Sequence, residues 1–347
     1  MKILRITSED ILVEPLLALV AQQWAALGVA VRANEPPAAV LDLEALLWCT
    51  LEVGRYESRL FDEVVDWIEL NHRHILVPRL RQIGPAEEDV RWRILCAIAR
   101  RLQRGAVGRP WGSLADTCRR EIAAGEKTEG LFLGEAGVPP EAVRVRDPDF
   151  AACGLIRSAF ETRGLSAAPG LHLPAAAVLR AKAVFGADAR AYVWVALLTR
   201  EGDLQSGISE RTGYGEVVGR ILKGLVESGI CRVEQRQTAK WYALVDREAW
   251  RDVFQLSEFI PPWPNWIRLF RGLVRLLRTW AKCREAGASE YLFASELRKA
   301  FVEAREDIAG GGIAVASPSP ELYLVDEFPR RFEAYLGELF SKSLFLD

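Results

Sequence analysis

Few residues in this chain stand at spacings that do chemistry. The first candidate is GYGEVVG, Gly213 to Gly219, whose glycines suggest a loop that cradles a phosphate. A dinucleotide fingerprint is GxGxxG directly after a strand and opening a helix, because the backbone must approach the pyrophosphate there. Here the spacing is GxGxxxG, the preceding DLQSGISERT is not a β-branched apolar run, and no GK[ST] follows. A nucleotide site is therefore not expected. The histidines are His72, His74 and His172, and the first two stand at i, i+2, which diverge on a helix. There is no HExxH, no Cys/His set at zinc spacing, no GxSxG and no kinase signature. Asp147 and Asp149 flank a proline in RDPDF and read as turn and helix-cap residues. The carboxylates of EVVDW and DLEALL read as solvated helix faces. No base and nucleophile pair at close range. The expectation is binding rather than catalysis: no catalytic residue, no metal and no cofactor.

Composition sets the frame. The 347 residues are half apolar and 27% charged, with a net charge of −2, so any attraction to nucleic acid or membrane must come from a local patch. None of the six cysteines forms a CxxC, and Cys49 and Cys96 sit in the apolar runs LLWCTL and RILCAIA. This predicts a reducing compartment without a disulfide framework. The N-terminal MKILRITSEDILVEPLLALV lacks the order of a signal peptide, and no segment reaches about 18 uncharged apolar residues. The expected location is cytoplasmic, with no membrane association.

The elements that must position any site read as mainly helical. Residues 1–104 form a helical N-terminal domain. In it Ser8 caps a helix that stops at Gly28, Ser58 caps RLFDEVVDWIELN, and Pro85 opens EEDVRWRILCAIARRLQ. Residues 105–171, punctuated by Gly and Pro, form an irregular connection with short helices. Residues 172–256 are the clearest unit. After the break PPWPNW, residues 257–347 form a helical C-terminal domain with a loop at GGGIAVASPSP and a final helix FPRRFEAYLGELFSKSLF.

The central unit answers the question raised by GYGEVVG. Arg190–Arg200 reads as a first helix and Ser206–Thr212 as a short second one, ended by Gly213, which tolerates the left-handed turn. The next helix carries Val218, Ile221, Leu222, Leu225 and Val226 at i, i+3, i+4, i+7 and i+8, a full core stripe. Ile230–Val233 and Trp241–Val245 are β-prone, with the polar QRQTAK turning between them. Over about 80 residues this resembles the winged helix-turn-helix of bacterial transcriptional regulators. The resemblance rests on Thr212-Gly213-Tyr214, Arg220, Gly229-Ile230 and Lys240-Trp241-Tyr242-Ala243-Leu244. The flanking helical domains more loosely resemble proteins of bacterial mobile and defence loci.

The resemblance implies double-stranded DNA as partner, with the second helix in the major groove and a homodimer on paired half-sites. Arg220, with Tyr214, would reach the groove, and Lys223 would meet phosphate. The hairpin would offer Arg236, Gln237, Thr238 and Lys240 to the backbone or minor groove. Glu216 near the helix start opposes phosphate, and Gly215 and Gly219 replace side chains that usually reach bases. A second basic feature is WIRLFRGLVRLLRTWAKCR, where Arg268, Arg271, Arg275, Arg278 and Lys282 line one helical face. Nucleic-acid backbone, internal or subunit salt bridges, and plain solvation are three readings of that stripe. The alternative to a regulator is an interaction protein, antitoxin-like or a defence-complex subunit, whose winged domain grips a protein partner such as a nucleotidyltransferase.

Overall fold

The computed structural model describes residues 11–33, 35–85, 89–105, 108–121, 128–134, 137, 139–254, 256, 261–316 and 327–345. Ser8 lies outside them. The fold is mainly helical, with fifteen α-helices and two small sheets among the described residues. No helix among the described residues is long and apolar enough to cross a membrane.

Two compact units share the chain, and they are not the sequential blocks expected from the sequence. One unit comprises Leu27–Asn34 and Leu43–Pro169; the other comprises Met1–Ala26, Glu35–Asp42 and Gly170–Asp347. The first helix thus joins the C-terminal part, because α1 (Val13–Ala26) packs against the last helix, α15 (Phe328–Phe345). The expected blocks 172–256 and 257–347 likewise fall in one unit.

The unit holding residues 43–169 is built around α2 (Leu43–Val53), in which every residue is buried. A helix apolar on nearly all sides belongs inside, but α2 also takes Glu44 and Glu52 inward. Glu44 is 0% exposed and pairs at 2.8 Å with Arg79 of α4 (Val77–Ile83), also 0% exposed. It also accepts the Leu76 N–H at 2.8 Å. Asp42, Glu63 and Asp66 are buried too, so the carboxylates of DLEALL and EVVDW are not solvated faces. Acids are buried when partners satisfy them, and those partners come from distant sequence. Helix α3 (Ser58–Asn71) is capped by Glu57, which accepts the Arg59 N–H, rather than by Ser58. Helix α5 (Val90–Gln103) starts after Asp89, which caps it, so Pro85 lies outside it. Cys96 on α5 and Cys118 on α6 (Arg109–Glu121) form a disulfide, which overturns the expectation of no cross-link. Twenty-two residues separate them, and only the packing of α5 on α6 brings their Cα atoms to 5.6 Å. Asp147 caps α7 (Pro148–Ala151) as its sequence suggests, and the parallel strands β1 (Glu129–Gly130) and β2 (Leu155–Ile156) form the small sheet of this unit.

In the other unit, α8 (Ala177–Phe185) and α9 (Ala189–Leu198) precede a short strand β3 (Asp203–Leu204) that the sequence does not announce. Then come α10 (Gln205–Thr212), α11 (Val217–Glu227), strands β4 (Cys231–Arg236) and β5 (Ala239–Leu244), and α12 (Arg247–Val253). The three strands form one antiparallel sheet in the order β3-β5-β4. A long pair, α13 (Trp266–Glu285) and α14 (Glu290–Gly310), follows. They pack tightly at Gly272, where an added Cβ would stand 2.6 Å from Ile308 Cγ1. The segment 35–42 is pinned in this unit by Val40 N donating to Pro262 O and by Trp266 Nε1 donating to Val40 O at 2.7 Å.

Candidate nucleic-acid interface

Helices α10 and α11 meet at a turn formed by Gly213, whose φ of 73° is left-handed and which ends α10. A side chain there would be strained, so the glycine sets the angle of the turn. The turn is pinned from within. Thr212 is buried and its hydroxyl donates to Ile208 O at 2.8 Å. Arg211 points inward, donating to Trp263 O and lying 3.6 Å from Asp203. Asp203 also accepts from Arg200 at 2.9 Å and from the Leu204 N–H at 2.8 Å. One buried carboxylate therefore joins the end of α9, β3 and α10. In the sequence, only the position of Asp203 in GDLQSG, between two helices, points to this role.

Helix α11 rests on α9, α10 and β4. Val218 and Leu222 are fully buried, whereas Ile221, Leu225 and Val226 are only half-buried. The expected full core stripe is thus a narrow one, because α11 lies at the edge of the fold and its neighbours cover one flank. Strands β4 and β5 are longer than predicted and their turn is tighter, with Arg236 opposite Ala239 and only Gln237 and Thr238 between. Gln237 has φ 51°, a conformation that side chains rarely adopt. Cys231 under the hairpin donates to Ala243 O at 3.0 Å, and burial pushes its thiol up to about 11, so it is inert.

The predicted contact residues divide by what they already touch. Arg220 and Lys240 are exposed and make no ion pair among the described residues. Lys223 lies 3.7 Å from Glu227. Arg236 lies 3.2 Å from Glu234 and stacks over Trp241, 4.2 Å from the ring centroid. Gln237 and Thr238 are exposed at the hairpin tip. Tyr214 is half-buried, its ring edge-on to Tyr192 at 5.6 Å. With Arg211 turned inward and Glu210 paired to Arg268, the outward cations of α11 and the hairpin are Arg220, Lys223, Arg232, Arg236 and Lys240. They face the acids Glu216, Glu227 and Glu234.

The α13 stripe is largely answered by acids of this same unit. Arg268 lies 3.2 Å from Glu210 and 3.4 Å from Asp307, and it donates to Glu306 O at 2.7 Å. Arg271 lies 3.7 Å from Asp307, and Arg275 lies 3.3 Å from Glu303. Arg278 is half-buried and engaged, and Lys282 is exposed. The acids of α14 were legible in the sequence, but their place opposite the stripe was not. No group of three or more His, Cys, Asp or Glu among the described residues could hold a metal ion. In comparisons with known proteins, no family model matches the chain, and no curated protein or solved structure is significantly similar to it.

Proposed function

We propose that the chain is a DNA-binding protein, a winged helix-turn-helix regulator in type, whose α11 enters the major groove while the β4–β5 hairpin flanks it. One observation carries the reading. The segment from α9 to β5 runs helix, strand, helix, helix, strand, strand with its strands in a single β3-β5-β4 sheet, and it presents Arg220 and Lys240 outward without acid partners among the described residues. An outward helix with unpaired cations beside a hairpin can meet phosphates on both sides of a groove. Arg220 has the reach and fork geometry for a guanine edge. Lys223 and Arg236 join it by exchanging their acids for phosphates. The α13 stripe is secondary in this reading; Arg271 and Arg275 are 56% and 42% exposed beside their acids, and Lys282 is exposed as well. A homodimer would set two copies of α11 in successive grooves about 34 Å apart.

A second reading, a protein-binding subunit, is favoured by the half-buried Ile221, Leu225 and Val226 and by Val233, which is 43% exposed. The test is fluorescence anisotropy of the full chain against duplex DNA from its own upstream region and against a scrambled duplex, across a salt series. Affinity that falls linearly in log–log salt supports phosphate contact, and preference for the upstream duplex supports a regulator. Replacing Arg220, Lys223, Arg236 and Lys240 together with alanine should abolish binding without unfolding the chain. Absence of binding at low salt overturns the DNA reading and favours the protein partner.

A further inference from the structure

Residues 160–166 run as an irregular strap beside α3, within the unit that contains both. The strap is anchored at each end. Ala159 N donates to Val145 O at 2.9 Å, and Ala167 N donates to Gly28 O at 2.7 Å. Asn71 adds a bond to Ala167 O at 3.1 Å. Phe160 is held between two guanidinium groups, Arg157 at 3.7 Å and Arg101 at 4.3 Å from its ring centroid. Between these anchors, no backbone–backbone hydrogen bond holds the strap among the described residues.

Three carboxylates at i, i+3 and i+6 of α3 hold it instead. Asp66, only 3% exposed, accepts the N–H groups of Gly164 at 2.6 Å and Ser166 at 3.1 Å. Glu69 accepts the Thr162 hydroxyl at 2.5 Å. Glu63 pairs with Arg163, and its other oxygen is buried without a hydrogen-bond partner. Apolar packing does not close the strap down, since Leu165 is 58% exposed. Beside it lies a half-open cleft of about 560 Å³, lined by Ser58, Arg59, Asp62, Glu63 and Asp66 on the α3 side and by residues 160–163 of the strap. That volume falls within the range of small-molecule sites, ~300–1,000 Å³.

We propose that residues 161–166 are a movable lid at the rim of this cleft, hinged near Ala159 and Ala167 and latched by Asp66 and Glu69, whose release widens the cleft. A segment tied by a few charged hydrogen bonds, with no apolar seal, opens at far lower cost than the helices beneath it. Its fastening is concentrated. Losing one carboxylate, Asp66, releases two backbone N–H groups together.

Hydrogen exchange on the full chain tests this, read on the Gly164 and Ser166 amides, which Asp66 holds, against those of α3 and α5. In the wild type the lid amides should exchange faster than either helix. Asp66→Ala should raise lid exchange at least about tenfold, the scale of one charged hydrogen bond, with the helix amides unchanged. Trypsin cleavage after Arg163 should accelerate in parallel. Thr162→Val touches the latch from the lid side and leaves α3 intact, so it decides the matter if Asp66→Ala does not fold; it should raise lid exchange severalfold. Lid amides that exchange in step with α3 in the wild type, or that are unmoved by these variants, overturn the proposal.

Discussion

Arg220 and Lys240 are the outward cations of α11 and the hairpin that make no ion pair among the described residues, and this makes the DNA reading quantitative. Each cation that neutralises a phosphate contributes about 0.9 to the log–log salt slope. Replacing both with alanine should therefore lower the slope by about 1.8 per protomer and, at about 0.15 M salt, weaken binding roughly 30-fold. Lys223 and Arg236 differ because they already stand 3.7 Å from Glu227 and 3.2 Å from Glu234. A phosphate must displace those acids, so the Lys223→Ala, Arg236→Ala pair should lose less affinity and less slope than the first pair. The assay is anisotropy with the full chain and one duplex, with salt varied over about tenfold and each variant's fold checked by thermal melting. Exposed substitutions of this kind move stability by only about 0.5 kcal/mol, so a lost signal can be assigned to binding. The reasoning fails if the Arg220, Lys240 variant keeps wild-type slope and affinity, or if the Lys223, Arg236 variant loses more.

Other consequences follow from single features. Gln237→Gly should stabilise the fold by up to about 1 kcal/mol, since glycine accepts φ 51° without strain, and should weaken DNA binding through loss of the tip side chain; chemical denaturation and anisotropy read the two effects separately. Arg79→Met should cost about 3–5 kcal/mol by leaving Glu44 buried at 0% exposure without its guanidinium counter-charge, and the Glu44→Leu, Arg79→Met double variant should recover much of it; urea titrations of both variants check this. Alkylation under native conditions should label no cysteine, because the four free thiols are buried and burial holds Cys153 and Cys231 up at about 11. Denaturation without reductant should expose those four, and reductant should expose the Cys96–Cys118 pair as well. Reducing that pair should lower stability by about 3 kcal/mol, the closure term for a separation of 22 residues.

What the sequence determined by itself is local. Apolar residues at i, i+3 and i+4 marked α3, α5, α11, α13 and α15, and the final helix begins and ends where its pattern does. Gly213 foretold the turn after α10, and the β-prone runs on either side of QRQTAK foretold the hairpin. Those signals are legible because backbone propensity and amphipathic period depend on residues a few positions apart. The tertiary structure decided which charges are free. Glu44 and Asp66 look like surface acids in sequence, yet both are buried with partners 35 to 100 residues away in chain order, Arg79 for the first and the strap amides for the second. Cys96 finds Cys118 only because α5 packs on α6. The α13 arginines resemble an open basic stripe until α14 folds back and sets Glu303 and Asp307 against them. Charge type and helical face are properties of the chain, but whether a charge meets water, a phosphate or an internal acid depends on contacts between residues distant in sequence. Packing alone brings these together, so Arg220 and Lys240 could be separated from their neighbours only in the folded molecule.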